Sequence, residues 1–296
     1  MNKKPILAVG SIAIDNIETP NGNKNNVLGG SASYFGLSAS LTSNVSLVGV
    51  VGNDFPQEGK NLLLSKNINI NNLQFINGQT FRWGGRYSDD YSERTTLFTK
   101  LGVFECFEPE INPKDLSIPL VFLGNIQPDL QLKVIDLMQS PEIIVSDTMN
   151  LWIDLFPDRL MSVIERSNIL LINHEEAEQI TGYKNVEQSA EKFLNMGPDV
   201  VVVKMGANGS YLAQKEYCAY IPVYPIKKLI DPTGAGDSFA GGFLGYLSNH
   251  EKPNYLNAVI AGTAAASFCV EDFGMGSISK ATLNDLNSRI KIIENI

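Results

Sequence analysis

Small residues and two carboxylates crowd one stretch of this sequence, DPTGAGDSFAGGFLGYL, residues 231–247. Gly234, Ala235 and Gly236 stand between a strand-like segment ending at Asp231 and a helical pattern. Consecutive small residues leave backbone N–H groups free to point at a ligand, and a helix N-terminus adds partial positive charge. Together they make an anion hole into which a transferring phosphoryl group fits. Asp237 follows directly, placed to take the proton of a hydroxyl that attacks that phosphate. The same N–H groups and helix dipole predict a carboxyl pKa near or below about 4, so that the base is ionised at neutral pH. A second reading stands beside this one: Asp237 caps the helix, and Gly241, Gly242 and Gly245 let it pack closely. Two other phosphate motifs are excluded. GxxxxGK[ST] does not occur, and GAGDSF puts Phe239 where a dinucleotide fingerprint needs Gly or Ala.

The rest of the inventory narrows the chemistry. Two histidines, His174 and His250, give a Ser-His-Asp hydrolase or a multi-histidine metal site almost nothing to work with, so acid and base roles fall to carboxylates. Cys106, Cys218 and Cys269 are far apart and form no CxxC, which argues against zinc and against a disulfide framework. A net charge of -9 disfavours nucleic acid as a partner and leaves a small molecule. The apolar stretches 257–270 and 119–125 fall short of the roughly 20 residues of a membrane span, and no apolar signal core precedes Asp15. A cytoplasmic protein without a membrane partner is the expectation.

Positioning these residues requires a layered frame. PILAVG (5–10), NVSLVGVVG (44–52), LVFLGN (120–125), EIIVSD (142–147), NILLIN (168–173) and DVVVVKMG (199–206) read as strands buried on both faces, the mark of a parallel sheet. Amphipathic helices over 128–140, 154–167 and 185–197 separate them, and two more helices fill 254–271 and 280–296. The pattern predicts one α/β domain over 1–296, a doubly wound, mostly parallel sheet flanked by helices. Residues 76–107 break the rhythm with alternating, aromatic-rich segments and turns at Gly84-Gly85 and Asp89-Asp90. With residues 11–20 they are expected to form a small antiparallel β lid over a cleft at the strand ends.

DPTGAGDSFAGGF resembles the C-terminal signature of the ribokinase-like, phosphofructokinase-B type sugar and nucleoside kinases. GGSASYFGLSASLTSNVSLVGVVGNDFPQEG (29–59) looks like that family's N-terminal signature, and NHEEAEQITG (173–182) resembles its Asn-x-x-Glu motif. The motifs appear in the family's order from Asp15 to Gly274. The resemblance implies the ribokinase-like fold, with Asp237 as catalytic base and Gly234, Ala235 and Gly236 as the anion hole. It assigns Asn173 and Glu176 to magnesium and the phosphates through water. Asp231 and Thr233 would hold a monovalent cation, potassium, with the loop around Gly274 and Ser277, although EDFGMGS departs from the usual pattern there. Lys204, Gly206, Gly262 and Ala266 fall at ATP-binding positions, with ordinary strand-end or helix packing as the alternative. Asp15, Gly29 and Gly30 fall at sugar-binding positions.

Where such kinases often carry Asn, this chain has Tyr34, which either stacks on a base or sugar or fills core. Arg82, Arg86 and Arg94 sit in the lid among aromatics, where one could reach a phosphate or an acidic sugar, with solvated lid-face charges as the alternative reading. The function expected is ATP- and magnesium-dependent transfer of the γ-phosphoryl group to a primary hydroxyl of a small sugar. A nucleoside kinase acting on a ribose 5'-hydroxyl is the alternative, and a non-catalytic ligand-binding relative the rival from another class. The lid is also expected to pair two copies as a homodimer.

Overall fold

Strand residues alternate between two cores, which is why the apolar runs are continuous. In β1 (Ile6–Val9), Ile6 and Ala8 enter one hydrophobic cluster while Leu7 and Val9 enter another. The computed structural model describes residues 3–296. The other strands are β2 (Ala13–Thr19), β3 (Gly22–Gly29), β4 (Val45–Gly52), β5 (Asn69–Ile76), β6 (Phe81–Tyr87), β7 (Arg94–Lys100), β8 (Leu120–Leu123), β9 (Ile143–Ser146), β10 (Ile169–Asn173), β11 (Val200–Lys204), β12 (Ser210–Gln214) and β13 (Tyr217–Ile221). The helices are α1 (Ser31–Ala39), α2 (Gln57–Ser65), α3 (Pro128–Leu137), α4 (Asn150–Leu155), α5 (Pro157–Glu165), α6 (His174–Thr181), α7 (Val186–Leu194), α8 (Ala235–Leu247), α9 (Tyr255–Cys269) and α10 (Leu283–Ile293).

Among the described residues nine strands form one sheet in the order β13-β12-β11-β10-β9-β8-β1-β4-β5. Every pair from β5 to β11 is parallel, and the β12-β13 hairpin closes one edge antiparallel. The chain leaves β1 toward β4 and later returns on its other side as β8, so the order reverses at β1. A crevice opens at the carboxyl ends of strands at such a switch point. One face of the sheet carries α1, α8 and α9, and the other carries α3, α5 and α7.

The lid is the small sheet expected from the sequence, in the order β3-β2-β6-β7. Two antiparallel pairs are joined by one parallel pair, β2 with β6. Four details differ from the expectation. Gly84-Gly85 is no turn; it lies inside β6 at a break in the β7 register. Residues 22–29 add a lid strand whose polar, exposed sequence hid it. Helix 154–167 divides at Phe156, because Pro157 lacks the N–H that would continue α4. The segment from Pro222 to Ile230 holds no strand.

The glycines of α8 do what the packing reading required. A Cβ on Gly242 would stand 2.6 Å from the Ala265 Cβ and 2.7 Å from the Ala261 carbonyl oxygen of α9. Gly242→Ala therefore forces the two helices apart and is expected to cost about 1–3 kcal/mol, read as a lower urea midpoint with an unchanged slope.

Candidate active site

Three neighbouring strands deliver polar side chains to one crevice. β9 is followed by Asp147, and β10 and β11 end at Asn173 and Lys204, which are register partners. Hydrophobic strands leave a polar residue only where the chain emerges from the sheet, so these side chains meet at the carboxyl edge. The Lys204 ammonium donates to both Asp147 oxygens, at 3.1 and 3.0 Å, and Asp147 is 5% exposed.

The start of α8 faces this pair. Gly234 is the N-cap with φ 77, a left-handed backbone that favours glycine, and a Cβ there would lie 2.4 Å from the Tyr34 ring. Ala235 and Gly236 are the first residues of the helix itself. The Ala235 N–H donates to the Pro232 carbonyl at 3.2 Å, so it is spent on the turn. The Gly234 and Gly236 N–H groups have no protein acceptor among the described residues. Two unpaired N–H groups thus stand at this helix start with Lys204 against them: the ammonium is 3.3 Å from the place of a Gly236 Cβ.

Asp237 corrects the sequence expectation. Its carboxyl faces the crevice only partly exposed, and its pKa is pushed up to about 7 rather than held near 4. Burial is the main cause and the Asp147 charge the next; Lys204, its own N–H and Arg94 pull the other way without prevailing. Glu176 behaves alike, raised to about 7 by burial and by Asp147 against the pull of Lys204. The Lys204 pKa is itself raised: burial alone would lower it, but Asp147 and Glu176 outweigh burial.

Asn173 and Glu176 form a capping box on α6. The Glu176 N–H donates to Asn173 Oδ1 at 2.8 Å, and the Asn173 N–H donates to Glu176 Oε2 at 3.2 Å. His174 beside them is exposed. Asp147, Glu176 and Asp237 set three carboxylates around one ammonium, and their repulsion is what a divalent cation bound with phosphates would relieve. These residues fit magnesium on that ground. Among the described residues no group of three or more His, Cys, Asp or Glu side chains is spaced to grip a bare ion.

The residues assigned to a monovalent cation meet at one loop. The Asp231 oxygens accept the Thr233 N–H at 2.9 Å and the Gly274 N–H at 2.8 Å. The Thr233 hydroxyl bonds the Tyr87 hydroxyl at 3.0 Å, and its carbonyl accepts the Cys269 thiol at 3.1 Å. Each of these oxygens already serves one protein hydrogen bond and keeps a further lone pair.

Asp15, in β2, is 3% exposed. Its Oδ2 lies where a Gly29 side chain would be, 1.9 Å from that Cβ, so only glycine admits the carboxylate. Its Oδ1 is buried without a hydrogen-bond partner. Burial, then the Asp231 and Asp237 charges, raise its pKa to about 8. Gly30 caps α1 beside it.

Of the two readings of Tyr34 the structure has the core-filling one: it is 1% exposed and packs its ring on Gly234, beneath the start of α8. Gly262 is also a packing residue, since a Cβ there would meet the Phe239 carbonyl oxygen at 2.8 Å. Gly206 is exposed just beyond β11, and Ala266 is partly exposed on α9.

Sequence reasoning missed Asp147, whose signal was a lone carboxylate at the end of an apolar strand, and it missed the contacts that seat the lid. Tyr91 donates to the carbonyls of Ile230 at 3.1 Å and Leu229 at 3.3 Å, and Asn21 donates to the Leu229 carbonyl at 2.7 Å. With Tyr87 on Thr233, the lid is latched to the segment leading into α8. Asp54, in the Gly52-Asn53-Asp54 turn, accepts from the Thr80 N–H and hydroxyl, each at 2.7 Å, and from Arg82 at 2.8 Å. Burial works against it, but these donors hold its pKa below the usual carboxylate value. Asp54 therefore anchors the entry to β6. A surface cavity of ≈ 320 Å³ beside Ser46 and Asp115 opens at the opposite edge of the sheet, away from this chemistry.

Residues 4–282 match the family described as pfkB family carbohydrate kinase. A cytidine kinase of Thermococcus kodakarensis is 30% identical over 245 residues, 81% of this chain and 87% of that protein. The crystal structure of the Methanocaldococcus jannaschii nucleoside kinase, an archaeal member of the ribokinase family, superposes with a TM-score of 0.79 at 23% identity, covering 99% of this chain and 100% of that one. A putative ribokinase II from E. coli, in complex with ATP and magnesium, superposes with a TM-score of 0.80 at 17% identity over 98% of this chain and 99% of that one. These likenesses give the fold, which is ribokinase-like. No helix among the described residues is long and apolar enough to cross a membrane.

The raised carboxyl groups set a sign for stability against pH. Asp15 at about 8, and Glu176 and Asp237 at about 7, bind protons more tightly folded than unfolded. The stability they contribute is complete below their unfolded values near 4 and is lost as pH rises through 7 to 8. Asp15→Asn is expected to lose less stability between pH 5 and pH 8 than the parent, in urea unfolding without nucleotide. Equal losses in both proteins would assign Asp15 an ordinary pKa.

Proposed function

We propose that this chain, which belongs to the pfkB family of carbohydrate kinases, uses Asp237 as the base in phosphoryl transfer from ATP to a hydroxyl of a small sugar or of the sugar part of a nucleoside. As a member of that family it is a phosphotransferase with a hydroxyl group as acceptor. The observation that carries the detailed reading is the meeting at one helix start of a carboxylate, two free N–H groups and a half-buried ammonium.

In this reading the acceptor lies under the lid, with one hydroxyl donating to the free oxygen of Asp15 and with Gly29 and Gly30 allowing close backbone approach. A primary hydroxyl then faces Asp237. Its oxygen forms the new bond to the γ-phosphorus, and the bond from that phosphorus to the β–γ bridging oxygen breaks. The electron pair leaves with ADP, and the hydroxyl proton passes to Asp237. The Gly234 and Gly236 N–H groups and the Lys204 ammonium hold the charge on the phosphoryl oxygens. Magnesium, when bound with ATP, neutralises phosphate charge near Asn173 and Glu176. Nucleotide contacts extend from Lys204 to Gly206 and Ala266. The structure of the E. coli relative with ATP and magnesium supports that donor and ion.

A nucleoside acceptor gains support over a free sugar from the Thermococcus relative, named a cytidine kinase and matched over 87% of its length. A coupled ADP-release assay across pentoses, hexoses and nucleosides decides between them.

Asp237→Asn should leave folding and ATP binding in place and lower kcat by about 10²- to 10⁴-fold. In the parent, kcat/KM should fall as pH drops below about 7, because the base must be ionised to act. Near-parent turnover in the purified Asn variant would sink the assignment.

A further inference from the structure

Five of the six arginines are ion-paired: Arg82 with Asp54, Arg86 with Glu18, Arg159 with Asp129, Arg166 with Asp136 and Arg289 with Glu271. Among the described residues Arg94 alone has no carboxylate partner, and it stands in the lid. It opens β7 directly opposite Tyr87 of β6. Cross-strand partners share a face of a sheet, and the Tyr87 hydroxyl reaches Thr233, so this face looks onto the catalytic loop. The exposed Arg94 guanidinium rests 5.5 Å above the ring of Trp83, two strand positions behind Gly85 on that face.

Tyr87 fixes the part of the crevice that Arg94 addresses. Its hydroxyl bonds Thr233, the residue before Gly234, so its strand partner Arg94 stands toward the start of α8, the phosphoryl side of the crevice in the reading above. An aromatic face fixes the plane of a guanidinium while leaving its N–H groups free, and the five donors in that plane match phosphate oxygens.

We propose that Arg94 is a phosphoryl-binding residue carried by the lid, donating to the transferring group from the side opposite Lys204 and the Gly236 N–H. This rests on the kinase reading above, in which the bonds made and broken are unchanged. What Arg94 adds is positive charge delivered only when the lid is seated. Body and lid would then each supply one cation to the same oxygens, Lys204 fixed by Asp147 and Arg94 arriving with Trp83 and Tyr87.

The test is calorimetric and needs no knowledge of the acceptor. The parent, Arg94→Gln and Arg94→Lys are titrated with magnesium ADP alone and with magnesium ADP plus aluminium fluoride, which mimics the phosphoryl group in transfer. The Gln variant is expected to bind magnesium ADP within about twofold of the parent but the fluoride complex about 10- to 100-fold more weakly, with the Lys variant between. With the acceptor found by the assay above, kcat should fall in parallel while the acceptor KM stays within about threefold. Equal binding of the fluoride complex by parent and Gln variant overturns the assignment. So does an equal loss for both complexes, which marks a structural role, or a loss confined to the KM of an anionic acceptor. A parent that binds no nucleotide overturns the kinase reading and takes Arg94 with it.

Discussion

One ammonium among three carboxylates governs this molecule. Lys204 and Asp147 emerge from strands buried on both faces into a crevice that leaves them little access to water, and there they pair. Glu176 and Asp237 share the same surroundings without a full partner of their own. Their proton affinity rises in consequence, and a helix terminus that by itself favours a carboxylate anion does not reverse it. Everything around the crevice serves to keep this imbalance in place. The glycines in the body of α8 let it approach α1 and α9, Tyr34 fills the space beneath Gly234, and the capping box of α6 holds Glu176 at the rim.

Much of the frame was legible because alternation in a buried strand leaves a continuous apolar run. Each of the six runs read as parallel strands is one, and their order gave the α/β body. The lid was harder. Residues 22–29 are mostly polar and exposed on an edge strand, so no burial pattern marks them, and Gly84-Gly85 looks like a turn until a partner strand shows it to be a bulge. Tertiary context decided both.

The site was legible to the extent that backbone geometry fixes it. A run of small residues before a helix marks a turn that leaves N–H groups unpaired, as those of Gly234 and Gly236 are among the described residues. What a residue's neighbours do to its charge is another matter. Asp237 reads as an ordinary capped carboxylate in sequence, and only the folded chain brings Asp147, 90 positions earlier, close enough to oppose its ionisation. Tyr34 likewise has the composition of a stacking residue and the position of a packing one. Asn173 and Glu176 satisfy two demands at once, since the side chains that cap α6 also line the crevice.

The lid is seated through Tyr87, Tyr91 and Asn21 on residues 229–233, the stretch that leads directly into Gly234. Cover and helix entry are therefore one mechanical unit. A lid that lifted would take the partner of the Thr233 hydroxyl with it and release three side-chain restraints on the entry to α8 together. If that entry binds the phosphoryl group as proposed above, the motion that admits water also loosens the loop that would activate it, and ATP needs no separate guard against wasteful hydrolysis.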